Sequence, residues 1–276
     1  MTLVSRSNME SHKDTVRILV LNPNSSTDMT HGVEEAIKSI NLPKSLHLST
    51  YTAPKDSPAS INDGSDLEKS TAVVLADFDV EHAAQNYDAI IVACFSVHPL
   101  VGKLSNLLSE SGVIVTGIFE ASILTALTLL PPYALTHTHA FKTWGIVTTG
   151  KFWEEHLTAG AAAYLGSEHH GAESKSGKFA GVYSTGLDAG DFHGGVSPEV
   201  IREKLKTATK KLLTSSDVGC VVMGCAGMAG LEEIIRDAAR EQYGIDAGNR
   251  VLIVDGVKAG AGLLDQAVKN SRMFTD

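Results

Sequence analysis

Eight short runs rich in strand-forming residues punctuate the chain almost from end to end, each followed by a polar or amphipathic stretch. They are RILVLNP near 17–23, LHLSTYT near 46–52, DAIIVACF near 88–95, GVIVTGIF near 112–119, WGIVTT near 144–149, FAGVYST near 179–185, DVGCVVMG near 217–224 and RVLIVDG near 250–256. Read as continuous rather than alternating apolar runs, they suit parallel strands covered on both faces. The segments between them carry helix signals. In SPEVIREKLKTATKKLLTSS, Ser197 is placed to cap, Pro198 takes the first position and Glu199 lies in the first turn. Strand and helix in regular alternation define an α/β protein.

The strands fall into two sets of four that look alike. Asn22 to Cys94 is 72 residues and Thr148 to Cys225 is 77; in each set the first strand ends in small polar residues (NPNSS, TTG) and the third in a cysteine. A duplicated unit puts these ends at equivalent carboxyl edges, where open parallel sheets bind ligands. Two facing halves then present Cys94 and Cys225 to one cleft.

A chain of 276 residues is long enough for a large core. Its net charge of −9, without a basic cluster, argues against nucleic acid or an anionic membrane as partner, so a small molecule is the expected ligand. No apolar run approaches the eighteen or so residues that span a bilayer. MTLVSRSNMESHKDTV, residues 1–16, has no apolar core of the secretory kind, and cytoplasmic residence is expected. There three cysteines imply no disulfide framework.

Metal binding is disfavoured. Cys220 and Cys225 are five apart, so on one strand they point to opposite faces. His137 and His139 in THTHAF, and His169 and His170 in EHHG, lie in polar connectors without ligand spacing. Cys220 reads as a buried small hydrophobe. Cys94 and Cys225 instead end strands ahead of helices, where the dipole favours a thiolate by about 0.3–1 kcal/mol, against about 1.4 kcal/mol per pKa unit. From an ordinary value near 8.5, both are expected as thiol–thiolate mixtures around neutral pH, which suits proton exchange. Gly224 and Gly227 are expected to let backbone amides approach a ligand oxygen. GCAGMAG is not GxGxxG, and neither a P-loop nor a GxSxG elbow occurs. His98, four residues after Cys94 and next to Pro99, reads as a helix-initiating residue, with a Cys–His nucleophile as the alternative.

VLNPNSS, TAPKDSPASI, ACFSVHP, GIVTTGKFWE and MGCAGM, in this order, resemble the aspartate/glutamate/hydantoin racemase superfamily, and within it the hydantoin and allantoin racemase branch of fungal type. The likeness runs from about 17 to about 270. It implies two pseudo-twofold-related α/β domains, each a four-stranded mainly parallel sheet flanked by helices, with the active site in the interdomain cleft. The division implied is 17–120 with the C-terminal helix 257–276 as one domain and 121–256 as the other, behind a flexible polar tail, 1–16. It also implies no cofactor, no metal, a homo-oligomer, and two cysteines exchanging an α-proton from opposite faces. Carried over, the bases fall on Cys94 and Cys225, and the substrate pocket on Asn24, Ser60, Ile61, Phe95, Ser96, Thr148, Thr149, Ala226 and Gly227. Bacterial hydantoin racemases tend to carry Gly and Asp where this chain has Ser96 and His98, a departure that bears on the ring substituent. GSEHHGAESKSGK, 166–178, has the composition of a surface insertion.

The motif loops offer Asn, Ser, Thr and backbone amides, which suit the neutral C=O and N–H groups of a hydantoin or ureide ring better than a dicarboxylate. Lys55 in TAPKDSP is the exception. Two alternatives stand beside this reading. One is an aspartate or glutamate racemase, or a maleate-type cis-trans isomerase, on the same fold; the other is a non-catalytic metabolite-binding protein.

Overall fold

A computed structural model describes residues 15–39, 43–132, 143–166 and 177–275. Two four-stranded parallel sheets form the frame. The first contains β1 (Val16–Asn22), β2 (Leu46–Thr52), β3 (Ala89–Val92) and β4 (Ile114–Gly117) in the order β2-β1-β3-β4. The second contains β5 (Thr143–Thr148), β6 (Phe179–Ser184), β7 (Val218–Gly224) and β8 (Leu252–Asp255) in the order β6-β5-β7-β8, the same arrangement repeated. In both, the second strand lies to one side of the first and the third to the other. The connections therefore part at the carboxyl ends of β1/β3 and β5/β7, opening a crevice at each.

Burial follows strand order. Nearly every residue of the inner strands is buried, whereas β2 buries only Leu46 fully and β6 only Val182. The continuous-run reading thus holds for the inner strands and fails for LHLSTYT, whose alternation of apolar and polar residues belongs to a sheet edge open on one side. GVIVTGIF also divides: β4 ends at Gly117 and α5 (Ile118–Leu129) begins at once.

The remaining helices are α1 (Thr27–Lys38), α2 (Gly64–Asp77), α3 (Val80–Asn86), α4 (Pro99–Leu107), α6 (Phe152–Tyr164), α7 (Pro198–Ser215), α8 (Glu232–Tyr243), α9 (Ile245–Arg250) and α10 (Gly256–Phe274). Their starts are chemically marked. Ser26, Asp63, Asp79, Ser197 and Asp255 each accept a first-turn N–H, a contact worth about 1 kcal/mol. Among the described residues no helix is long and apolar enough to cross a membrane.

The two helices that leave the fourth strands cross over. α5 leaves β4 of the first sheet and packs on β7 and β8 of the second; α10 leaves β8 and packs on β1, β3 and β4 of the first. They meet at Gly256, where a Cβ would stand 3.1 Å from the Ile118 Cβ of α5, while one turn on a Cβ at Gly260 would stand 3.1 Å from Ile91 Cγ2 of β3. One apolar core consequently runs through both halves, from Ile18 and Ile91 by way of Phe119, Ile123 and Leu264 to Trp144, Ile146 and Val222. Each such side chain contributes roughly 1.5–3 kcal/mol by leaving water.

Candidate active site

The cysteines occupy matching places. Val92 of β3 pairs with Leu21 and Gly117, Met223 of β7 pairs with Val147 and Asp255, and the cysteine in each case lies two residues further on. Both line one cleft. Asn24, Ile61, Phe95, Thr149, Ala226 and Gly227 share that lining, as does Gly224. Ser96 and Thr148, both fully buried, and half-buried Ser60 stand behind it. The Thr148 hydroxyl donates to the Gly224 carbonyl at 2.8 Å, tying β5 to β7 beneath Cys225. The Ser60 hydroxyl donates to Asn62 Oδ1 at 3.0 Å.

Met29, Ala93, Trp153 and Ala189 line the cleft without having been singled out in the sequence. Trp153 lies inside the GKFWE motif, and that position was a usable signal. Met29 is an ordinary buried residue of the first turn of α1, and nothing in its sequence context marks it. Lys55 is exposed and outside the lining.

Asn24 is held by a small polar network. Its Oδ1 accepts from Asn22 Nδ2 at 3.0 Å and from the Ser26 N–H at 2.9 Å, which turns Nδ2 toward Met29 Sδ at 3.1 Å. A thioether is a weak acceptor, so the amide N–H remains a donor for a better one.

The surroundings of the two sulfurs differ. Cys225 starts a 3-10 turn, Ala226–Met228, in which the Met228 N–H donates to the Cys225 carbonyl at 3.1 Å, and the nearby backbone amides of Gly227 and Met228 favour its thiolate. Cys94 is followed by a loop, and α4 begins five residues later; its sulfur receives the Ser96 hydroxyl at 3.4 Å. Neither cysteine therefore abuts an α-helix N-terminus, and the dipole argument gives way to individual donors.

Burial dominates the titration. Both residues are half-exposed through the cleft, but the protein packed around the sulfurs is dense. It pushes Cys94 up to about 12, eased by Ser96 and reinforced by charge on Cys225 and Glu120. It pushes Cys225 up to about 11, eased by the two amides. The expected mixture near neutral pH is corrected: without ligand both are thiols there, because desolvation outweighs the donors. Gly224 also has a different role from the one expected. A Cβ there would lie 2.8 Å from the Val147 carbonyl and 2.9 Å from Thr148 Cβ, so its bareness serves close strand packing.

His98 caps α4. Its Nδ1 accepts the Leu100 N–H at 3.3 Å, which places the ring proton on Nε2, and Nε2 donates to Ser70 Oγ at 3.1 Å. With the residue 3% exposed, burial holds it down to about 3, neutral and engaged with Ser70 rather than Cys94. Cys220 lies in mid-β7, fully buried, with burial pushing it up to about 12. No group of three or more His, Cys, Asp or Glu among the described residues could hold a metal ion. His137, His139, His169 and His170 lie outside the described residues.

Comparison with known proteins agrees with this geometry. An uncharacterized protein of Schizosaccharomyces pombe is 33% identical over 94% of this chain and 94% of its own length. The hydantoin racemase of Pseudomonas sp. is 24% identical over 94% of this chain and 90% of its own. The allantoin racemase structure from Klebsiella pneumoniae shares the fold with a TM-score of 0.69, at 23% identity over 93% of this chain and 89% of that one. The signature of the Asp/Glu/Hydantoin racemase family, a family of isomerases, matches residues 18–264. The chain belongs to the Asp/Glu/Hydantoin racemase family.

Proposed function

We propose that the protein racemises a hydantoin-like ring, allantoin or a 5-substituted hydantoin, by proton transfer between Cys94 and Cys225 on opposite faces of one carbon. The observation that carries this reading is a single cleft lined by both sulfurs and, among the described residues, by no Lys, Arg, Asp or Glu. A dicarboxylate would enter it without a counter-charge, whereas a neutral ring needs only hydrogen-bond partners and apolar contact. Names among the relatives, hydantoin racemase and allantoin racemase, support the same class.

In the proposed step the thiolate of one cysteine takes the ring α-proton, breaking C–H and forming S–H. The electron pair passes onto the adjacent carbonyl oxygen, to which Asn24 Nδ2 can donate. The opposite thiol returns a proton to the other face of the carbon and is left as thiolate. High sulfur pKa values reduce the thiolate population about tenfold per unit, but they make the thiolate that forms a stronger base.

The test is incubation of each enantiomer of allantoin and of simple 5-substituted hydantoins in D2O, followed by optical rotation and proton NMR, with aspartate and glutamate alongside. Racemisation with solvent deuterium incorporation is expected for the rings and far less turnover for the diacids. Either Cys94→Ser or Cys225→Ser should remove most racemisation while leaving one-sided deuterium exchange. Equal racemisation by wild type and a single mutant defeats the two-base reading. A stable covalent adduct on one cysteine favours an isomerase using sulfur as nucleophile.

A further inference from the structure

Ser96 is fully buried and outside the cleft lining, so no ligand reaches it. Its N–H bonds the Cys94 carbonyl at 3.0 Å, and this tight turn carries the hydroxyl back under the sulfur at 3.4 Å. Among the described residues the sulfur is the only partner of that hydroxyl. A buried hydroxyl aimed solely at a sulfur is poorly satisfied by a thiol, which is a weak acceptor, and well satisfied by a thiolate. Cys225 has no side-chain donor of this kind: its sulfur is eased only by the nearby backbone amides of Gly227 and Met228, which no side-chain substitution removes.

We infer that Ser96 is a positioning residue whose hydroxyl selectively stabilises the Cys94 thiolate, so that one sulfur of the pair is tuned by a side chain and the other by backbone. The inference concerns how the site proposed above is poised. The other titratable groups bearing on Cys94 are Cys225 across the cleft and Glu120 in the first turn of α5, and both oppose its ionisation. Ser96 is the one donor that favours it. A substitution there shifts the balance of the pair without touching the cleft surface.

The experiment measures alkylation of each cysteine by iodoacetamide at a fixed pH of about 8 in the intact chain, with labelled peptides quantified by mass spectrometry. Cys225 is the internal reference. A hydrogen bond to a charged group is worth about 1.5–3 kcal/mol, or roughly one to two pKa units. Because a more basic thiolate is also more nucleophilic, with a Brønsted slope near 0.5, Ser96→Ala should slow Cys94 about three- to tenfold relative to Cys225. Ser96→Thr keeps the hydroxyl and should hold the wild-type ratio. A role in packing alone predicts the reverse order, since the added methyl disturbs a fully buried position more than the loss of one oxygen.

An unchanged Cys94:Cys225 ratio in Ser96→Ala overturns the inference, as does a ratio that moves more in Ser96→Thr than in Ser96→Ala. Should Ser96→Ala not fold, Ser96→Thr alone still decides, because departure from the wild-type ratio counts against the hydroxyl. The readout needs no turnover. Failure to racemise any hydantoin, with the ratio still responding to Ser96, would remove the functional reading and leave this inference standing.

Discussion

Asn62 Oδ1 accepts the backbone N–H of Ala189 at 3.3 Å, joining a loop of the first half to a loop of the second across the cleft. Ile61, beside Asn62, and Ala189 both line the cleft, so this one bond sets the spacing of two walls. Asn62 is itself fixed, since its N–H donates to Asp66 Oδ2 at 2.9 Å in the first turn of α2. Asn62→Ala is expected to cost about 0.5–1.5 kcal/mol of stability. On the proposed mechanism the larger effect should be on KM, raised several-fold with kcat little changed, because the walls would hold the ligand while the sulfurs perform the chemistry. Steady-state kinetics on the ring substrates proposed above check this; a fall in kcat at constant KM would contradict it.

If the two cysteines exchange the proton as proposed, their raised pKa values give the reaction a pH dependence. With Cys225 up at about 11 and Cys94 at about 12, the form with one thiolate and one thiol is a minority at pH 7 and grows with pH. Turnover at subsaturating substrate should rise about tenfold per unit from pH 7 to 9, without the plateau that an ordinary cysteine near 8.5 would give. The limbs belong to the coupled pair, not to either sulfur. A profile flat above pH 7 would show that donors in the cleft overcome desolvation.

His98 confers acid sensitivity. Its folded-state value is depressed to about 3 against an ordinary value near 6.5, so at intermediate pH the unfolded chain binds a proton that the folded chain refuses. This contribution to stability is present above the unfolded value. It declines by about 1.4 kcal/mol per unit as pH drops below about 6.5. His98→Asn keeps a good capping side chain and removes the titration. Urea unfolding between pH 7 and 5 should therefore be flatter for the variant by about 2 kcal/mol over the span, and equal slopes would exclude His98 as the source.

Cys220 separates stability from chemistry. It is fully buried in mid-β7, paired with Trp144 and Leu252. Cys220→Ser should lose about 1–3 kcal/mol, because a hydroxyl prefers a partner that this strand interior does not offer. The Tm should fall by several degrees while kcat/KM per folded molecule holds. Loss of activity in the fully folded variant would give this third sulfur a part in the reaction.

The inner strands and the two cysteines were legible in the sequence for the same reason: a strand covered on both faces must be apolar throughout, and small residues mark where it stops. Asn62 was not legible, since a polar loop residue shows nothing of a partner 127 positions away. The sulfur pKa values were misread because dipole and donor effects follow from local sequence, whereas the desolvation that overrode them comes from residues brought in by folding. Ser96 is expected in the substrate pocket on the resemblance but lies outside the lining, because which way its hydroxyl turns depends on the loop that continues to His98. Trp153 stands within the GKFWE motif, but an aromatic at helical spacing is ordinarily core, so its place in the cleft wall does not follow from sequence alone.

The crossing of α5 and α10 also sets an order of events during synthesis. The first sheet is complete in sequence once Gly117 has been made, but the helix that covers β1 and β3 begins only at Gly256, about 140 residues later. At roughly 5–20 residues per second a ribosome needs about 7–28 seconds to supply it. For that interval one face of the first sheet has only Val33 and Ile37 of α1 over it and lacks the helix whose Gly260 finally rests against Ile91. A nascent chain of this kind waits for its last helix before either half is finished, and the site between them is assembled in the same event.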